Sequence, residues 1–384
     1  MATELYNQRM ERLITTSNHI EPDRVPVFAN IGTWSISYYG TTVEQCLKNP
    51  EWFVKEVESK IYRQINCDAF MGAGFIDNFE FGEIVGNNAN FISSDGVSIQ
   101  HKELRMMEDA DYPALISDPW KFFITDFIPK RYPGISIEKM ADAVRCFVKF
   151  SENTSWVQKY FKDEFSIVNL TAGAGPVASP LEWIFGFLRG FRNALIDIRR
   201  RPEVLLEAIE ALYPLCEERL GITSPGAKLD PFPAARTMFH IPTYLSAAQL
   251  EKFFVPTYNR LLKKLEPTGR KLLVFLEGDW SAHYGWLNSV PKNMMLGIVD
   301  QDDIIQMKKK VGANITLIGG MPLSLLKYES KQHCIDYAKR IIDECAPGGG
   351  FIFGTDKVLL CPGDVNPENY IAVNNFAYDY GRYS

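Results

Sequence analysis

The sequence predicts an α/β fold: a single (β/α)8 TIM barrel with an amino-terminal cap helix and a β-hairpin insertion. Three observations lead there. Eight short apolar runs recur along the chain, several of them leading through polar or Gly-rich residues into stretches with apolar spacing of three to four. Parallel strands joined by crossover helices read this way. The 384 residues are 46% hydrophobic and 23% charged, enough apolar material for a large core. No repeat and no Pro/Gly/Ser-rich linker divides the chain, so residues 1–384 read as one domain.

The first run, Val25 to Asn30, is followed by a loop holding Gly32, Trp34 and Gly40 and then by a helical stretch from Pro50 to Asn66. The second run begins at Asp68 to Met71. From Phe81 to Met107 the alternation breaks into strand-like pieces with turn residues (Gly86, Asn87, Asn88; Ser94, Asp95, Gly96), the pattern of an inserted hairpin. The third run, Phe165 to Leu170, enters the loop Thr171 to Pro176 and a long helical region ending near Tyr213. Five more runs follow: Thr237 to Phe239, Lys271 to Leu276, Met295 to Val299, Asn314 to Ile318 and Gly350 to Phe353. Between the later ones, Asp302 to Val311 and Lys331 to Cys345 have the spacing and length of crossover helices.

Forty-one basic against forty-seven acidic residues give a net charge of −6, a surface that repels phosphates, so nucleic acid is excluded as a partner. No apolar run approaches the ~20 residues of a membrane helix. The amino-terminal residues are charged and lack the apolar core of a secretory signal, and the expected location is the cytoplasm. Seven cysteines, an odd number without a Cys-x-x-Cys, speak against a disulfide framework or a zinc knuckle.

In such barrels chemistry comes from the carboxyl ends of strands. His240 closes the Thr237 to Phe239 run; there it reads as a metal ligand, an acid/base, or a histidine that hydrogen-bonds the strand end. Glu277 and Asp279 directly follow Leu276, with Trp280, His283, Tyr284 and Trp286 close behind. Two carboxylates and an imidazole beside aromatic rings fit a hard ligand set against an apolar wall, and equally solvated acids over packing aromatics. Cys361, after the last run, is either a thiolate ligand or a buried loop thiol. No Walker A, Gly-x-Ser-x-Gly or His-Glu-x-x-His motif occurs, which disfavours nucleotide chemistry.

Several segments together resemble the uroporphyrinogen decarboxylase superfamily, and within it the cobalamin-dependent methyltransferase branch. They are Asp23 to Phe28, Thr171 to Pro176, Arg201 to Ala208, Leu245 and Ser246 with Phe253 to Pro256, and Pro347 to Ile352 with Asn366 to Asn369. The decarboxylases' Arg-rich motif (Arg-Gln-Ala-Gly-Arg) is replaced here by Ala29 to Trp34. Where thiol methyltransferases of the family carry a zinc-binding His-x-Cys, this chain has Phe275, Leu276 and Glu277.

This variant pattern is similar to the ether-cleaving methyltransferase I components of O-demethylases in anaerobic one-carbon metabolism. The resemblance implies transfer of a methyl group from a methoxy-aromatic small molecule to the cob(I)amide of a separate corrinoid protein. It also implies a zinc ion held by His240, Glu277 and Cys361. Asp279 or His283 would protonate the leaving oxygen, and Trp34, Trp280, Tyr284 and Trp286 would wall the pocket. No Asp-x-His-x-x-Gly corrinoid motif is present, so the cobalamin would be borrowed from its partner. Three alternatives stay open: a thiol or amine methyltransferase, a divergent decarboxylase, and a non-catalytic barrel that binds a corrinoid or tetrapyrrole. A homodimer is left open as well.

Overall fold

The computed structural model describes residues 2–71, 79–86, 89–103, 105–171 and 176–383. Along them run strands β1 (Phe28–Ala29), β2 (Ala69–Phe70), β3 (Asn90–Ile92), β4 (Ile99–His101), β5 (Val168–Asn169), β6 (Ala235–Phe239), β7 (Leu272–Leu276), β8 (Met295–Val299), β9 (Thr316–Met321) and β10 (Phe351–Thr355). Each of the eight apolar runs overlaps one strand, with β6 starting before its run and β9 and β10 continuing past theirs. β1, β2 and β5 form one parallel sheet, and β6 to β10 form a second, also parallel and in sequential order. Single parallel bridges, Val27 with Phe353 and Pro176 with Arg236, connect the edges of the two sheets. Instead of the expected continuous ring, the ladders of the described residues make an α/β fold of two parallel sheets.

Alternation along the strands sorts the apolar side chains into two cores. Phe28, Ala69, Val168, Leu273, Ile298, Ile318 and Ile352 share one inner cluster, to which both sheets contribute. The opposite faces pack under helices in a larger cluster. The expected cap helix is Ala2–Ser17, whose Leu13 enters the inner cluster. Crossovers include Val255–Leu265 between β6 and β7, Ile304–Val311 between β8 and β9, and Lys331–Cys345 between β9 and β10. The anticipated hairpin is the antiparallel β3–β4 pair, preceded by an unanticipated helix, Phe79–Val85.

Other helical expectations need correction. The stretch from Pro50 ends at Tyr62 and widens to π geometry at Phe53–Glu58. The long region before Tyr213 is cut at Gly190, whose positive φ of 75° stops one helix before Phe191–Arg200 begins, and again before Pro202–Glu218. The longest described helix, Ile137–Phe165, precedes β5 and takes up Phe165, the first residue of the third apolar run. Of the Thr171 to Pro176 loop, residues 172–175 lie outside the described residues, as do Asn87 and Asn88 of the expected turn. No described helix is long and apolar enough to cross a membrane.

Candidate active site

His240 leaves β6 one residue past its last ladder pair, beside the carboxyl end of β7. Two carboxylates flank its ring. Glu182, in the short helix Pro180–Trp183, lies with Oε2 3.5 Å from Nδ1. Its Oε1 accepts from the backbone N–H groups of His240 (2.9 Å) and Ile241 (3.1 Å), so this buried acid fixes both the ring and the turn that carries it. On the far side, Glu277 Oε1 is 3.6 Å from Nε2. The chain turns after Glu277 through Gly278 at φ +81°, where a Cβ would meet Thr243 Oγ1 at 2.9 Å, so the β7 turn presses close against the loop after β6.

Charge shapes this trio. Burial works against the imidazolium, but the hydrogen bond and charge of Glu182 together with the charge of Glu277 outweigh it, and His240 titrates above its ordinary value. Burial also lifts the Glu277 carboxyl, with Glu182 and Asp300 adding to the rise and His240 opposing it. The arrangement is an imidazole held between two acids at the end of the sheet, each of which favours its protonated form. Its Nδ1 side is tied down, and its Nε2 side faces Glu277.

Glu182 was not read from the sequence, and it gives the first prediction. Glu182→Gln keeps the oxygen that accepts the two backbone N–H groups but removes the charge. The His240 pKa should fall, so activity that needs the protonated ring should be lost at lower pH than in the wild type. A kcat/KM profile against pH checks this, and an unmoved alkaline limb would show that Glu182 does not set the proton affinity of His240.

The remaining expected residues sit elsewhere. Zinc sites take at least three protein ligands, yet among the described residues no group of three His, Cys, Asp or Glu side chains could hold a metal. Cys361 is exposed, its thiol facing Ser98 and its backbone N–H bound to Asp364. The expected His240, Glu277 and Cys361 set is therefore not assembled, because only the first two meet, and the described residues do not fit zinc.

Asp279 is exposed, and its carboxylate accepts from Ser281 N at 2.8 Å; these hydrogen bonds lower its pKa, which makes it a poor proton donor. His283 is buried edge-on to Trp280, with ring centroids 5.7 Å apart, and burial lowers its pKa; it faces the loop of Pro242 and Leu245. Trp280 and Trp286 belong to the outer core, against Phe239 at 5.6 and 5.9 Å. Trp34 is also buried, stacked on Tyr38 at 4.8 Å. None of these three indoles can wall an open pocket. Tyr284 is half-buried and donates to Asp302 Oδ1 at 2.5 Å. The apolar surface next to His240 and Glu277 comes instead from Met238, 45% exposed, and its ladder partner Phe275.

A solved structure of a methyltransferase from Methanosarcina mazei superposes with a TM-score of 0.61 at 12% sequence identity, over 96% of this chain and 98% of that one. No curated protein matches in sequence. The sequence model of the uroporphyrinogen decarboxylase (URO-D) family matches residues 174–379, which include His240, Glu277 and Glu182, and the chain belongs to that family.

Proposed function

We propose that this family member is a methyltransferase that moves the methyl group of a phenyl methyl ether to the cob(I)amide of a separate corrinoid protein. The observation that carries the reading is His240, poised as an acid between Glu182 and Glu277 at a strand end, next to the apolar pair Met238 and Phe275. The fold shared with a methyltransferase supports the reaction class. The two bridges between the sheets, and the inner core common to both, support a (β/α)8 barrel whose carboxyl-end rim carries the site.

In the reaction the cob(I)amide of the partner, as co-substrate, supplies an electron pair to the methyl carbon. The carbon–oxygen bond breaks, and its pair goes to the aryl oxygen. A free phenolate is costly to form in a partly dry site. His240 Nε2 donates a proton to that oxygen, so phenol leaves, and Glu182 holds the ring in the orientation this requires. Glu277 keeps the Nε2 proton at the rim until the ether oxygen arrives. Met238 and Phe275 offer the aromatic ring an apolar bed.

The test incubates the protein with a methoxyphenol and cob(I)alamin, free or on a corrinoid carrier protein, and follows methylcobalamin by its absorbance and the demethylated phenol by chromatography. The two products should rise together, one for one. Methyl transfer only from thiols or amines, decarboxylation of a tetrapyrrole, or no product from any aryl ether would reject the reading.

A further inference from the structure

We propose that Arg236 anchors an anionic group of the methyl donor, so that the preferred substrates are aryl methyl ethers bearing a carboxylate; this deepens the reading above and rests on it. The argument begins with alternation along β6. Ala235, Thr237 and Phe239 are buried, with Phe239 against the rings of Phe254 and Tyr258 at 5.2 and 5.0 Å. Arg236, Met238 and His240 must then point to the opposite, inner face. The register agrees: Arg236 pairs with Leu273, a member of the inner cluster, and Met238 pairs with Phe275, which packs against it.

Arg236 has no hydrogen-bond or ion-pair partner for its side chain among the described residues. Other arginines that protein crowds are paired: Arg12 meets Asp23 and Asp68, and Arg189 meets Asp109 and Asp197. Arg236 is exposed, yet protein crowds it enough that burial lowers its pKa with no carboxylate opposing the effect. A guanidinium on the inner face that solvent still reaches has both properties. In a chain with more acids than bases, leaving such a cation uncompensated on an inner face invites an anion.

A second polar group lacks a partner on the same side. Asn30 follows β1 with Phe28, two residues earlier, in the inner cluster. It is 1% exposed, and among the described residues neither its amide oxygen nor its amide nitrogen has a partner. Buried amides are nearly always satisfied, so this one fits a polar ligand.

The rest of the strand sets the orientation. Four residues of strand span roughly 13 Å, which sets Arg236 toward the amino end of β6 and His240 at the rim, with Met238 and Phe275 between them for one aromatic ring. Glu277 and Asp300 at the rim would repel a carboxylate there, which favours the anion at Arg236 and the ether at His240. One guanidinium fork suits a planar, singly charged carboxylate better than a phosphate, whose second charge would go unanswered.

Calorimetry without any methyl acceptor would compare 4-methoxybenzoate with neutral 4-methoxybenzyl alcohol on wild type, Arg236→Gln and Arg236→Lys, each checked by thermal melting. Wild type should bind the benzoate more tightly. Arg236→Gln should weaken benzoate binding on the order of ten- to a hundred-fold and bring the benzoate-to-alcohol ratio to about one, while Arg236→Lys should retain part of the preference. Equal benzoate affinity in wild type and Arg236→Gln, or no preference in wild type, overturns the proposal; if Arg236→Gln does not fold, Arg236→Lys decides. Arg236-dependent benzoate binding without methyl transfer to cob(I)alamin would instead sink the methyltransferase reading and leave the anion site standing.

Discussion

His240→Ala is expected to lower kcat/KM for methyl transfer by about 10²- to 10⁴-fold, the range in which a positioned general acid contributes, while leaving the fold intact. The side chain is 40% exposed and belongs to neither apolar cluster, so its loss opens no cavity. The sign with pH follows from the raised pKa of the ring. The working form carries the proton, so wild-type activity is full at low pH and falls as pH rises through that pKa. In the variant this limb should disappear, leaving a residual rate flat with pH, and added imidazole should restore part of the activity with its own proton affinity. A variant that keeps the wild-type rate and profile would remove the acid from the mechanism. A variant that loses activity but still shows the alkaline limb would mean that another group titrates, Glu277 being next in line because its pKa is also raised.

The eight strands were legible in the sequence because each is a compact apolar run bounded by polar or Gly residues, and His240 and Glu277 were legible because each directly follows such a run. The aromatic wall was not. Trp280 and Trp286 sit three and nine residues after Glu277 in sequence, but the turn at Gly278 sends the following segment outward under Phe239, where large rings bury most area. Adjacency in sequence carries no information about which side of a sheet a loop returns to. Cys361 misled in the same way: it follows β10, but its loop runs toward Ser98 near the β3–β4 hairpin, whose position no local pattern encodes. Glu182 left no signal, since a helical acid that accepts backbone N–H groups from a distant loop looks like any solvated glutamate. A signal did exist for Arg236 and Met238. Counting back by twos from His240 puts both on its face, and strand periodicity alone would have found them.

The Asp23 to Phe28 segment, part of the family resemblance, has a structural explanation that leads to the largest expected stability effect. Asp68 heads β2 with its carboxylate fully buried. One oxygen meets the Arg12 guanidinium and lies 3.6 Å from Arg9 Nε, and the other accepts from Val27 N at 2.9 Å. Arg12 also reaches Asp23 through two hydrogen bonds of 2.6 Å. The cap helix, the entry to β1 and the head of β2 are thereby locked around one buried charge. Asp68→Ala leaves the guanidinium of Arg12 buried without that partner and the Val27 N–H without an acceptor. Breaking a buried pair from one side costs roughly 3–5 kcal/mol, a large share of the 5–15 kcal/mol that holds a typical protein folded. The free energy from urea unfolding should fall by that amount. Arg12→Met combined with Asp68→Leu should be less damaging than Asp68→Ala alone, because the Arg12 charge is then not left stranded, while Arg9 keeps its hydrogen bond to Phe165 O. If the single substitution costs under about 1 kcal/mol, the range of exposed pairs, water must reach the cluster, and the amino-terminal helix would be an appendage rather than the floor on which the inner core rests.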